Sequence, residues 1–152
     1  MILCITSQCS RLGSLAADFC VIWKSNMDLN NTIKALCKIA KEFEEKGNVL
    51  ESVLLTESGY LQNPGQINEA HMAEYLRNHR ELIDTWLLQS MNKRTPPWYL
   101  KSPVDYSNRH KVWVVGFYPD GEVREFQDAA DACGFYVKQE VEQIRHIIEK
   151  TR

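Results

Sequence analysis

The sequence predicts an α+β fold: amino-terminal helices, then a three-stranded antiparallel meander, then a carboxy-terminal helix packed on the sheet. Three observations lead to this prediction. Apolar residues recur at helical intervals of three and four from residue 33 to residue 91. Pro96 and Pro97 then end helical structure, because proline lacks an amide donor and disfavours helix in the residue before it. The segment 111–126, KVWVVGFYPDGEVREF, carries β-branched and aromatic runs around a Pro-Asp-Gly turn, which is typical of a hairpin.

The amino-terminal half is predicted to contain four helices. The first begins at a cap provided by Asn30, Asn31 or Thr32 and ends at Gly47. The segment 48–59 is predicted to be a helix, although its β-branched content leaves a strand possible; its apolar positions at helical spacing are Val49, Leu50, Val53 and Leu54. After a loop at Tyr60–Gly65, residues 67–91 fit two helices divided near the polar stretch 77–81. In the first helix the apolar positions are Ile33, Leu36, Cys37, Ala40 and Phe43.

The carboxy-terminal half is predicted to form the sheet and its covering helix. Trp98–Lys101 fits a short strand, and the first strand of the hairpin should be central because both of its faces are largely apolar. Asp128 is expected to cap the last helix. Its apolar stripe needs the sheet to cover it, and consists of Ala130, Cys133, Val137, Val141, Ile144 and Ile148.

Residues 1–26 differ from the rest of the chain and are predicted to be an amino-terminal extension, upstream of a start at Met27. Residues 27–152 are then one α+β domain. Arg11 is the only early cation and Asp18 interrupts the apolar run, so the segment does not resemble a secretory signal. The five cysteines are odd in number and lack zinc-ligand or CxxC spacing, which favours reduced thiols and a cytoplasmic location.

The composition argues against binding of nucleic acid or membranes by the whole molecule, and the motifs argue against catalysis. The net charge of −2 gives the whole molecule no strong attraction to nucleic acid or to an anionic membrane. No nucleotide-binding glycine loop, GxSxG, HExxH or calcium loop occurs in the sequence. Cys133 and His146 are too far apart on one helix to form a dyad. We therefore expect no enzyme activity, no metal and no cofactor.

Two clusters of surface residues are candidate binding sites. An acidic cluster at the hairpin turn and the last helix start suits a basic protein partner, and consists of Asp120, Glu122, Glu125, Asp128 and Asp131. A basic aromatic region between residues 93 and 111 suits phosphate contacts and base stacking, and consists of Lys93, Arg94, Trp98, Lys101, Arg109 and Lys111. The alternative for this region, and the one that we favour, is that Trp98 and Tyr99 are core residues of the first strand and that the cations are solvated loop residues.

The order of elements resembles that of small bacterial immunity proteins, which neutralise toxins by binding them. The segments that carry this resemblance are IDTWLLQSMNKR, the WYL strand, the aromatic hairpin and the closing helix with AC-x-FY-x3-E-x3-I. The resemblance implies a non-catalytic protein-binding module, an immunity protein or antitoxin whose partner is a basic toxin domain. The alternative function is that of a nucleic-acid-associated regulatory protein using region 93–111.

Overall fold

The computed structural model describes residues 28–93 and 97–152. Residues 28–37 are helical (α1), and a turn at Lys38 separates them from α2. In chain order the remaining elements are α2 (Ile39–Lys46), α3 (Glu51–Glu57), α4 (Glu69–Arg77), α5 (Arg80–Asn92), β1 (Trp98–Lys101), β2 (Trp113–Phe117), β3 (Val123–Phe126) and α6 (Ala129–Lys150). Short 3-10 turns at Tyr60–Gln62 and Pro64–Gln66 connect α3 to α4. The predicted α+β architecture is confirmed.

The first helix does not begin where the sequence predicted. Asn30, Asn31 and Thr32 already lie within helical structure, so none of them is the cap within the described chain. The Thr32 hydroxyl instead donates to the carbonyl of Asp28, one turn earlier. The predicted end is confirmed, because Gly47 adopts the left-handed conformation with φ of 62° and its amide donates to the carbonyl of Phe43.

Helix α3 buries a different face from the one that its sequence suggests. Leu50 is extended and the helix begins only at Glu51, so the buried side chains are Leu54 and Leu55. Leu50 and Val53, two of the predicted apolar positions, are exposed.

The sheet has the order β1-β2-β3 with antiparallel pairing, so β2 is central as predicted. Leu100 pairs with Val115, and both are buried on the face that α6 covers. On the opposite face the ring of Tyr99 lies over Gly116, where a Cβ would be 2.2 Å from the tyrosine oxygen. Glycine at position 116 therefore makes room for this ring.

Helix α6 joins the sheet to the amino-terminal helices. Asp128 caps it, since its carboxylate accepts from the amide of Asp131 at 3.0 Å. The predicted stripe is buried from Ala130 to Ile144, and Ile148 packs against the core from its edge. Within residues 28–93 and 97–152, no helix has the length and apolarity needed to cross a bilayer.

Candidate functional site

A groove runs along the helical side of the molecule between α2, α5 and α6. It consists of two adjoining cavities of about 390 and 160 Å³ that share Phe43, Gln89 and Asn92 as lining residues. Three of its apolar side chains are strongly exposed: Phe43 at 39%, Leu88 at 47% and Ile147 at 54%. Large apolar side chains grouped around a concavity mark interaction sites more often than isolated surface residues do.

The apolar patterns of the helices place these side chains at the groove. The stripe of α1 and α2 continues past buried Ala40 to Phe43, beyond the part of the helix that the core covers. Leu88 lies on α5 away from its buried face. Helix α6 has 22 residues and is about 33 Å long, so its last turns bring Ile147 to the groove.

The larger cavity has a polar wall. Glu140 of α6 is only 4% exposed and accepts a hydrogen bond from the Lys93 ammonium, which follows α5. The Gln89 side-chain amide donates to Glu51 at the start of α3. The Lys93 ammonium also lies 5.7 Å from the centroid of the Tyr136 ring, so it interacts with this aromatic face as well as with the Glu140 carboxylate.

Two buried oxygen atoms of residues that line this cavity, Gln89 Oε1 and Glu140 Oε1, have no hydrogen-bond partner within the described residues. Burial raises the pKa of Glu140, and Lys93 only partly offsets this effect. Burial, reinforced by the charge of Glu140, also raises the pKa of Tyr136. Unpaired buried polar atoms are unfavourable, so this wall is suited to a group that supplies hydrogen-bond donors.

Glu142, two positions after Glu140 on α6 and outside the cavity lining, has the opposite electrostatic environment. Burial raises its pKa, but hydrogen bonds from Tyr60, Arg145 and Lys138 outweigh burial, so the pKa of Glu142 is lowered. Lys138 also donates to the carbonyl of Ile67 at 2.8 Å. This network ties the loop between α3 and α4 to α6 and leaves the glutamate fully paired.

The acidic cluster predicted from the sequence lies away from the groove, at the hairpin and the start of α6. Arg77 contacts Asp131 at 2.8 Å and Asp128 at 3.4 Å, which links α4 to α6. Glu122 pairs with Arg124, and Glu125 contacts the ring of His110. Asp120 forms no ion pair within the described part of the chain. Within the described residues, the two cations Arg77 and Arg124 therefore balance part of the charge of the five carboxylates, and the cluster stays acidic.

The basic aromatic region is divided between two sides of the molecule. Lys93 belongs to the groove, whereas Lys101 and Arg109 line a small cavity of about 130 Å³ on the sheet side. Lys111 is in the same loop, in a left-handed conformation with φ of 58°. Arg94 lies outside the described residues.

Trp98 is half-buried and packs against the core, which agrees only in part with the alternative interpretation of region 93–111. Its ring meets Phe117 edge-on at 5.1 Å and Phe135 at 6.1 Å. The expectation that the nearby cations are solvated is wrong for Lys93, because its ammonium is paired with buried Glu140.

The geometry of the described residues does not favour cysteine or metal chemistry. Cys37 and Cys133 are free and fully buried. Burial raises the pKa of the Cys37 thiol to about 12, and that of Cys133 is raised as well, so neither forms a thiolate readily. No group of three His, Cys, Asp or Glu side chains in residues 28–93 and 97–152 is arranged to hold a metal ion.

The sequence did not reveal the groove. Its side chains come from helices far apart in the chain, and Phe43 was assigned to the core stripe. The one available signal was the apolar surplus on α5 and α6, where Leu88, Met91 and Ile147 exceed what one buried face requires. Comparisons with family models, curated proteins and solved structures find no match to this chain.

Proposed function

We propose that this protein is a non-catalytic protein-binding module, and that the groove between α2, α5 and α6 receives its partner. The observation that carries the proposal is the exposure of Phe43, Leu88 and Ile147 around a continuous concavity. An aromatic or aliphatic anchor of a partner gains most when it fills such a concave apolar site.

The charge of the groove favours a basic partner. Among the residues that the structure describes, its lining includes the carboxylates of Glu44, Glu51 and Glu140 and one ammonium, that of Lys93. Opposite charge on the partner speeds encounter and selects orientation. A toxin domain with a basic functional surface has this chemistry, so an immunity protein or antitoxin is the specific form of the proposal.

Affinity capture with matched variants tests this proposal. Leu88→Asp introduces a charge into the groove, whereas Tyr106→Asp makes a similar change at a 95% exposed side chain on the loop of the sheet side. We expect wild-type protein and Tyr106→Asp to retain the same cellular protein, identified by mass spectrometry, and Leu88→Asp to lose it. Equal retention by all three proteins, or loss only in Tyr106→Asp, would place the contact outside the groove.

A second candidate function is single-stranded nucleic-acid binding on the sheet side. The observation that favours it is that Lys101 and Arg109 line one cavity with Tyr99, while Tyr106 projects from the same loop. Exposed aromatic rings beside cations suit base stacking with phosphate contacts.

Fluorescence anisotropy with a labelled oligonucleotide tests the second candidate. Binding through this surface should weaken steeply with added salt, because bound counterions are released. It should also be lost in the Lys101→Ala, Arg109→Ala double variant and kept in Leu88→Asp. Absence of binding by the wild type at low salt would reject it.

A further inference from the structure

We propose that the polar wall of the larger cavity binds the cationic side chain of a lysine or arginine on the protein partner. This inference rests on the proposed function and specifies the chemistry of one contact in the groove. It concerns the cavity of about 390 Å³ where Glu51, Gln89, Lys93 and Glu140 meet the apolar residues Phe43, Pro97, Ile144 and Ile147.

Among the described residues, the polar wall has hydrogen-bond acceptors without donors to pair with them. Glu140 uses one carboxylate oxygen for Lys93, and its Oε1 is buried without a partner. Gln89 gives its amide nitrogen to Glu51, and its Oε1 is also buried without a partner. A carboxylate can accept several hydrogen bonds, so Glu140 can serve a second cation without giving up Lys93. A ligand group that carries several N–H donors fits this wall best.

The charge balance points to the same group. Counting the described residues alone, two carboxylates, Glu51 and Glu140, accompany one ammonium, Lys93, so the wall has a formal charge of −1 when both glutamates are ionised. An anionic ligand would meet both carboxylates, and a wholly apolar one would leave the buried oxygens unpaired. An ammonium or guanidinium group supplies both positive charge and donors.

The shape of the cavity explains why the cation should be the end of a long side chain. Phe43, Ile144 and Ile147 line the same cavity as the polar wall, so a ligand that reaches Glu140 also has apolar surface to pack against. Lysine and arginine carry an alkyl stem that packs on apolar surface and places the charge at its tip. Aspartate, glutamate and short polar side chains lack this combination.

A titration with two matched small probes tests the inference on the full chain. Nα-acetyl-lysine methylamide presents the proposed group, and Nα-acetyl-norleucine methylamide presents the same stem without its ammonium. In amide NMR spectra of ¹⁵N-labelled protein, we expect the lysine probe to shift the signals of Gln89, Glu140 and Ile144. The norleucine probe should bind about tenfold more weakly, the effect of one lost charged hydrogen bond.

Two glutamate variants on the same helix provide the control. Glu140→Gln should weaken the lysine probe about tenfold, and Glu142→Gln, which changes a carboxylate outside the cavity, should leave its affinity unchanged. If Glu140→Gln does not give a cooperative thermal transition, Glu51→Gln is used in its place with the same expected loss. Equal affinity for the two probes, absence of saturable shifts at these residues, or full affinity of the cavity variant would overturn the inference.

The capture experiment separates this inference from the proposed function. If the groove retains a protein partner but the two probes bind equally, the cationic contact is wrong and the protein-binding function stands. If the lysine probe binds but Leu88→Asp loses no cellular protein that the wild type retains, the cavity binds a free amine. That result would reject the proposed function and also the inference that the cation belongs to a protein partner.

Discussion

At the scale of single residues, the pair formed by Lys93 and Glu140 shows what sequence patterns cannot reveal. The two residues are 47 positions apart, and the sequence marks Lys93 only as one cation of a basic loop. Glu140 lies on a predicted helix, and a glutamate in such a helix is expected to face solvent. Their pairing depends on how α5 and α6 pack, which no local pattern contains.

Glu140 and Glu142 should change the pH dependence of stability in opposite directions. The pKa of Glu140 is raised above its ordinary value of 4.5, so its stabilising contribution is present below pH 4.5 and is lost as the pH rises through the folded-state pKa. The pKa of Glu142 is lowered, so its contribution is present above pH 4.5 and is lost as the pH falls through the folded-state pKa.

Urea unfolding of Glu140→Gln, Glu142→Gln and wild-type protein from about pH 3 to 7 measures these contributions. Relative to Glu140→Gln, the wild type should lose stability as the pH rises above 4.5. Relative to Glu142→Gln, it should lose stability as the pH falls below 4.5. The same trend in both comparisons would contradict the assigned environments.

Val141→Asp should be severely destabilising, because Val141 is fully buried at the centre of the α6 stripe. The change buries an unpaired charge and is expected to cost several kcal/mol. Ile147→Asp, the same kind of change at a half-exposed site on the same helix, should be mild. Chemical denaturation compares the two variants, and similar unfolding midpoints would contradict the placement of this stripe.

At the scale of elements, apolar periodicity predicts the helices in which the pattern repeats over several turns. It fails for a short helix, because the buried face then depends on the residue at which the helix begins. The division of residues 67–91 into two helices, the central position of β2 and the cap of α6 at Asp128 are confirmed. The predicted start of α1 and the predicted buried face of α3 are wrong. In α3, an extended Leu50 changes which side of a seven-residue helix meets the core, and spacing alone does not report this.

Gly134→Ala should destabilise the contact between α4 and α6. A Cβ at this position would lie 2.8 Å from the amide nitrogen of Ala73 and from the carbonyl oxygen of Glu69, both backbone atoms that cannot turn aside. Alanine favours helix over glycine by about 1 kcal/mol, but overpacking of this kind costs roughly 1 to 3 kcal/mol. We expect a net loss in thermal or urea unfolding.

Gly65→Ala is the matched control, because no atom lies within 4 Å of the added Cβ. It should leave the unfolding midpoint nearly unchanged. A stabilised Gly134→Ala protein would show that the two helices are farther apart than described here.

At the scale of the whole molecule, residues 28–93 and 97–152 contain an extensive apolar core. Its buried apolar cluster extends from Ile33 to Ile144 and includes every helix and two of the three strands. A core of this extent is enough for a domain to fold by itself, so we predict that a chain starting at Met27 folds cooperatively. Circular dichroism with thermal melting checks this, and a broad or absent transition would show that residues 1–26 contribute to the core.

The proposed function depends on a surface that only the assembled fold creates. The groove combines Phe43 of α2, Leu88 of α5 and Ile147 of α6, which are spread over more than one hundred positions of the chain. The acidic cluster was visible in the sequence because its members are neighbours, but their partners Arg77 and His110 were not. The sequence therefore predicted where the acidic residues cluster, but not which residues pair with them.

Site-specific photocrosslinking in the source cell tests the central claim that the groove binds a protein. A photoreactive phenylalanine analogue replaces Leu88 in the groove or, in a separate variant, Tyr106 on the sheet side, and adducts are identified by mass spectrometry. We expect one specific protein adduct from position 88 and none from position 106. A protein or nucleic-acid adduct from position 106 with none from position 88 would contradict the account.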